Sequence, residues 1–517
     1  MHVPRDAWLL RKSSCMKLSD LKLLSKDTLI YGIGNASNQI IRVLLAPLYV
    51  AYLAADLYGV RSITAAFYRF LQIIILFALN QAVIADYYKA TSEEERRRLV
   101  STAFTYTLVA SLLFGGLLLV FAPLLSHSSI VQRIIGLESA ELRSILRLFG
   151  IYTVGNPAGL IFLALLRSEK RPGMYSIFTI STSLVRVAMT IVFLVVLGRG
   201  LQGLYEVDVL FVVPVLLVTS AFVYIYSRGI KFSFASLKSM LAYSLPLIPT
   251  SLFFWGRGML DRLLFIPLYL THTDVGIFAF ALNFHNIVSF ILVVPLSLAW
   301  LPYAFSVKEQ PDLPDIISRV LTYFLFLAGW ALVILGGAAS EILRLIAKRP
   351  EYWQGAPLVP LLVLGVYLYA VYLILGTACH LQRKTIYFTL VTFIGAGVAV
   401  GANVILLPRI GLLGAAIASA ASYGAMALSM FFFSRRLMKI PFETKRIVLI
   451  ALISTGITAA SYFWHVSSPL VGFLLKLGLG SAAYLGILFL LGFLLPSERD
   501  FIRNLLRRAG GKAHTKR

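Results

Sequence analysis

Fourteen stretches of about twenty mainly apolar residues follow one another along this chain, more than any water-soluble layered fold can bury. A hydrocarbon core about 30 Å thick is crossed by about 20 residues of α-helix. The first six stretches start near Thr28, Ser62, Val100, Ile145, Met174 and Leu204. Six more start near Leu241, Val275, Val320, Pro357, Thr385 and Leu412, and two last ones near Ile447 and Leu470. Hydrophobic residues make up 59% of the 517 and charged residues 14%, against roughly 25% charged in soluble domains. With a mean hydropathy of +0.84, the chain has too little polar surface to cover a globule. The fold class expected is an all-α polytopic membrane protein with about 14 transmembrane helices.

The formal charge of +24, from 47 Lys+Arg against 23 Asp+Glu, does not indicate a nucleic-acid partner. Such a partner needs basic residues gathered on a water-exposed face, whereas here most of them sit in short loops between apolar runs. Counted by side, they orient the chain. With both termini cytoplasmic, the cytoplasmic segments hold 32 Lys/Arg and the outer ones nine. Cys15 and Cys379 are too far apart for any metal or redox spacing, so no cofactor is expected. Residues 1–27 are mixed and basic and read as a cytoplasmic segment rather than a cleaved signal.

The chain repeats itself. Arg42-Val-Leu-Leu-Ala-Pro47-Leu48-Tyr49 is echoed by Arg262-Leu-Leu-Phe-Ile-Pro267-Leu268-Tyr269, and Arg199-Gly200-Leu201-Gln202-Gly203 by Arg409-Ile-Gly411-Leu412-Leu413-Gly414. Two echoes in the same order predict a duplicated six-helix unit. Six is even, so both units have the same orientation and are related by a pseudo-two-fold along the membrane normal. The expected organisation is a cytoplasmic segment (1–27), an N-terminal lobe (28–227) and a C-terminal lobe (241–435). Two extra helices (447–495) and a basic cytoplasmic tail (496–517) follow.

Six basic residues fall inside spans: Arg42, Arg69, Arg186, Arg257, Arg262 and Lys476. Each arginine at the bilayer centre costs roughly 2.5–3.5 kcal/mol on insertion scales. Lys476, close to the outer end of the last helix, is expected to snorkel. Arg42 and Arg186 lie near the midplane, where snorkelling fits poorly. They also belong to polar stripes at helical spacing: Asn35, Asn38, Gln39 and Arg42 in the first span, and Thr179, Ser183, Arg186 and Thr190 in the fifth. Thr250, Arg257 and Asp261 form another in the seventh, and Arg69, Gln72 and Asn80 one in the second. Neutral members serve as inter-helix hydrogen-bonding groups; five arginines with few carboxylates do not. With Asp261 pairing Arg257 or Arg262, an excess of about four positive charges remains, which predicts a water-filled cationic cavity. Its natural guest is an anion, and the planar guanidinium favours phosphate.

Three motifs carry a family resemblance. Tyr31-Gly32-Ile33-Gly34-Asn35, Pro47-Leu48-Tyr49 and Asp56-Leu57-Tyr58-Gly59-Val60 together form the first; Asp261-Arg262 with Asp274-Val275-Gly276-Ile277 form the second. The third is the run from Asn403 through Pro408, Gly411 and Gly414 to Ala418. In this order they resemble the polysaccharide-type flippases of the multidrug/oligosaccharidyl-lipid/polysaccharide exporter superfamily, akin to O-antigen and lipid II flippases. That resemblance implies two six-helix lobes and alternating access in a bacterial inner membrane. The implied substrate is an oligosaccharide on undecaprenyl diphosphate, moved to the outer leaflet for surface polysaccharide biosynthesis. Membrane lipid, a coupling ion and a polysaccharide polymerase complex are the further partners it implies. By analogy, Arg42, Arg186, Arg257, Arg262 and Arg69, with Asn38 and Asp261, are the candidate substrate-binding residues. The alternatives are a cation-coupled drug exporter of the same superfamily, which needs embedded carboxylates, a membrane enzyme of polysaccharide assembly, and a non-transporting scaffold. An enzyme needs an equipped outer loop, and the longest one offers only His127, Glu138 and Glu141 in no recognisable arrangement. Asn156-Pro157, Pro246 and Pro249 are candidate bending points.

Overall fold

The computed structural model describes residues 41, 45–382, 384 and 386–493, with the backbone alone at Thr250, Arg257, Leu298 and Pro302. All regular structure among these residues is helical. Twelve helical runs are long and apolar enough to cross a membrane, and each coincides with an expected span. The second span is two helices in line, α1 (Ala55–Leu76) and α2 (Leu79–Tyr87). Next come α3 (Glu93–His127), α4 (Ser139–Ser168), α5 (Pro172–Ile191) and α6 (Gly200–Ser227). The eighth span is α9 (His272–Val288) continuing through a π-turn into α10 (Val294–Ser306), after α7 (Phe234–Ser244) and α8 (Ile248–Leu260). Then follow α11 (Leu313–Ala331), α12 (Leu358–Leu375), α13 (Ile386–Ile410), α14 (Leu412–Leu437), α15 (Thr444–Phe463) and α16 (Pro469–Leu490).

Two expected spans are not among the twelve. The first lies largely outside the described residues, and Asn38 and Arg42 with it. The seventh, expected from Leu241, is built in pieces: the end of α7, a 3₁₀ turn Leu245–Leu247, α8, a π-turn Asp261–Phe265, and the short helix Ile266–Tyr269. Pro246, Pro249 and Pro267 each remove a backbone donor from this run, so the ladder restarts several times. Pro157, by contrast, is contained within the one helix α4.

Helix starts obey local chemistry. The hydroxyl of Ser92 accepts from the Glu95 amide, and Glu93–Glu95 place negative charge at the positive end of α3. Thr271 and Asp274 close a capping box at the start of α9, so Asp274 has a local structural task.

The described chain divides into two compact units. One comprises Phe70–Ser128 and Glu138–Ile248; the other takes Ala46–Arg69, Ser129–Leu137 and the chain from Pro249. In the first unit α3 and α4 approach so closely that a Cβ on Gly115 would lie 2.7 Å from the Gly150 carbonyl. Lipid supplies no hydrophobic drive between helices, so such close backbone contact is a main source of their attraction. The segment leading into α7 is fastened to the same unit. Ser101 and Thr102 hydroxyls accept from the amides of Lys231 and Ser233 at 2.9 and 3.0 Å. The buried Asp86 carboxylate accepts from Ser239 (3.1 Å) and Lys89 (2.8 Å). That bond and charge hold the exposed Lys89 ammonium above its usual pKa.

In the second unit the last two helices pack against α11: Tyr484 donates to the Phe326 carbonyl at 2.8 Å and Trp330 to Ser481 at 2.9 Å. Lys476 does not snorkel. Its ammonium is buried and pairs with Glu341 at 2.7 Å, donating also to the Gly337 carbonyl. The carboxylate on the short helix Ala339–Ile346 meets it inside the protein, and two neutralised ions need not reach water.

Candidate anion site

The candidate site is built in the second unit around Arg262, the first helical position after Asp261 in the π-turn that follows α8. A π-turn inserts one extra residue into the ladder and re-aims the side chains beyond it. The guanidinium of Arg262 is half-buried and held by neutral groups. One terminal nitrogen donates to Ser62 Oγ of α1 at 3.3 Å; the other donates to the Gly258 carbonyl at 2.8 Å and meets Met259 Sδ at 2.9 Å. Its Nε is buried and has no hydrogen-bond partner among the described residues. Arg69, two turns beyond Ser62 on α1, lies within electrostatic reach of it. Arg69 is exposed and makes no hydrogen bond or ion pair among the described residues. Trp255 donates to the Ala66 carbonyl at 2.9 Å and fastens α8 to this stretch of α1.

Asp261 is buried and serves a different neighbour from the one its position suggests. Its Oδ1 accepts from Asn403 Nδ2 of α13 at 2.7 Å, across 142 residues of sequence. Asn403 also donates to the Ala399 carbonyl at 2.8 Å, while its own Oδ1 is buried and unpaired. A carboxylate beside an unpaired amide oxygen is a concentration of acceptors.

Arg186 is elsewhere. In the first unit it makes an ion pair with Asp208 of α6, whose carboxylate is buried, and stacks 5.9 Å from the Phe211 ring. The excess of positive charge expected from five embedded arginines is therefore smaller, because one of them is neutralised across the α5–α6 hairpin. Arg257 lies on α8, one turn before Asp261, with its backbone alone described; Asn38 and Arg42 lie outside the described residues. Of the seven candidates, the structure brings together Arg69, Asp261 and Arg262.

Four contributors escape a reading of the sequence. Ser62 is an unremarkable polar residue among many, and Asn403 opens the third motif without being singled out for a place in the site. Tyr58 and Asn283, 3.4 Å apart in the same unit, lie near Arg262; Tyr58 stands inside a quoted motif but carries no charge to draw notice. The outer-loop histidine forms no catalytic arrangement: His127 is bonded to the Pro123 carbonyl and to Arg143.

The sequence matches the family described as "Polysaccharide biosynthesis protein" over residues 52–347, more than half of the chain. A protein of the Lsg locus of Haemophilus influenzae (strain ATCC 51907 / DSM 11121 / KW20 / Rd) is 24% identical over 307 residues, 58% of this chain and 70% of the relative. Among solved structures, the lipid II flippase MurJ in an inward closed conformation superposes with a TM-score of 0.72 at 15% identity. It covers 93% of this chain and 100% of its own. An inward-facing multidrug resistance MATE family transporter of the MOP superfamily superposes with a TM-score of 0.57 at 15% identity, covering 81% and 95%. At these identities the likeness is one of fold, and it agrees with the superfamily resemblance carried by the motifs.

Proposed function

The chain belongs to the polysaccharide biosynthesis protein family, and we propose that it is a flippase for an oligosaccharide linked to undecaprenyl diphosphate. It acts as a transporter, not an enzyme, and carries this lipid from the inner to the outer leaflet of a bacterial inner membrane by alternating access. Arg262 is the observation that carries the reading. A tethered guanidinium with a buried, unpaired Nε stands near a second arginine, and its adjacent carboxylate is engaged by Asn403. With only the neighbouring Asp261 carboxylate, itself shared with Asn403, to offset them, two like charges in an apolar protein remain costly, and a diphosphate offsets that cost by accepting charge-assisted bonds from both. A drug exporter for cations would need embedded carboxylates available to its guest. Here Asp208 and Glu341 are paired with Arg186 and Lys476, which favours the anionic substrate.

The coupling ion expected from the resemblance fits the acceptor-rich corner of Asp261 and Asn403. A cation there would neutralise the carboxylate and strengthen the net positive field on the anion side. A polymerase on the outer face would take the delivered lipid-linked unit. The deciding experiment replaces Arg262 and Arg69 singly by Ala and measures surface polysaccharide and membrane protein level. Both variants are expected in the membrane at parental amounts, with polysaccharide abolished in Arg262→Ala and strongly reduced in Arg69→Ala. Parental polysaccharide in both would sink the anion site.

A further inference from the structure

The second span is broken where nothing in its local sequence asks for a break. Between α1 and α2, Phe77 and Ala78 have φ of 46° and 55°. This left-handed region is disfavoured for every side chain with a Cβ, and non-glycine residues visit it singly rather than in pairs. Neither residue is glycine and neither is followed by proline.

The two ends of this span are held by different groups. At its start, α1 is docked within the second unit. A Cβ on Gly59 would lie 2.2 Å from the His272 carbonyl, and one on Gly276 would lie 1.8 Å from the Ala55 carbonyl. The two helices thus touch backbone to backbone at repeat-related glycines. Glu351 accepts from the Ala55 amide at 2.7 Å, and Tyr352, whose phenol burial keeps protonated, donates to the Leu53 carbonyl at 3.2 Å. The chain passes into the first unit at Phe70. There the end of α2 is fastened through Asp86 to Ser239 and Lys89.

The repeat-related span provides the control. Gly59 and Gly276 are 217 residues apart, and the same offset carries Phe77 and Ala78 to Val294 and Pro295. There Val294 and Pro295 open the helix α10, directly after the π-turn Ser289–Val293, and no residue of that turn or of the start of α10 has positive φ. The corresponding position of the repeat-related span therefore does without a left-handed backbone.

We propose that Phe77–Ala78 is a strained joint, left-handed while α1 is docked on α9 and rejoined into continuous right-handed helix when that docking is released. The strain offsets part of the docking energy and keeps the two states close in population, as a transporter that must cycle requires. The idea takes from the transport reading only that α1 undocks.

The test needs no substrate. In protein lacking Cys15 and Cys379 and held in lipid nanodiscs, Ile63→Cys reports undocking through its rate of thiol labelling. Ile63 is 1% exposed while α1 is docked. Ala78→Gly, which accepts the left-handed backbone and disfavours straight helix, is expected to slow labelling roughly tenfold. Ala78→Val is expected to speed it, and Gly59→Ala to speed it most. An unchanged rate in Ala78→Gly alongside faster labelling in Gly59→Ala overturns the joint, and no change in either shows that α1 does not undock, which also overturns it. Leu53→Cys, also 1% exposed, serves as a second reporter if Ile63→Cys does not fold. A labelling response with parental polysaccharide in the Arg262 and Arg69 variants would leave the joint standing and remove the anion reading.

Discussion

Arg186 and Arg262 look alike in the sequence, each an arginine embedded in an apolar span on a polar stripe, yet their surroundings in the structure are opposite. Arg186 faces the buried Asp208 carboxylate in its own hairpin. Arg262 faces a serine hydroxyl, a backbone carbonyl and a thioether, with the opposed fields of Asp261 and Arg69 on either side of its balance. The first has a carboxylate within ion-pair distance; the second has only the field of its neighbour Asp261, whose carboxylate is also shared with Asn403. An embedded charge is thus a functional signal only after its partner has been sought, since the same residue type is ion-paired in one unit and held by neutral groups in the other.

That contrast can be broken by measurement. Asp208→Ala leaves Arg186 without its counter-ion and should cost about 3 kcal/mol, the low end for a broken buried pair, because Arg186 is about a third exposed. The thermal midpoint of purified protein reports it, and Arg186→Met with Asp208→Leu should recover most of the loss. A midpoint unchanged in Asp208→Ala would mean that Arg186 is not braced. Asn403→Ala removes a donor from a buried carboxylate and should cost about 2 kcal/mol. If a cation occupies that corner, the same variant also loses the midpoint rise produced by adding the cation. Ser62→Ala loosens the Arg262 tether at a cost of about 1 kcal/mol, read as a several-fold fall in polysaccharide with protein level maintained. Smallest of all is Arg262→Ala, whose midpoint should stay close to the parent's, since relief of repulsion with Arg69 is set against loss of attraction to Asp261. A large drop would make Arg262 a brace like Arg186.

The membrane architecture was legible because hydropathy is summed over about twenty contiguous residues, and twelve of the expected spans need no tertiary information at all. The start of α9 was legible too, since Thr271 and Asp274 are neighbours in sequence. The seventh span was not legible as pieces, although its prolines hinted at interruption; where a ladder restarts depends on which neighbours satisfy the freed backbone groups. The candidate site was half legible. Arginine in an apolar run announces a cost, and the sequence named Arg69, Arg262 and Asp261 on that ground.

What the sequence by itself determined is therefore the membrane as solvent, the succession of twelve of the spans, and the residues whose charge must be accounted for. What only the tertiary structure decided is how each charge is accounted for. Arg186 meets Asp208 across 22 residues, Lys476 meets Glu341 across 135, and Asp261 meets Asn403 across 142. These pairings depend on which helices pack together and how each is rotated, which no local window contains. The left-handed joint at Phe77–Ala78 belongs to the same class. Nothing in its local sequence asks for that backbone.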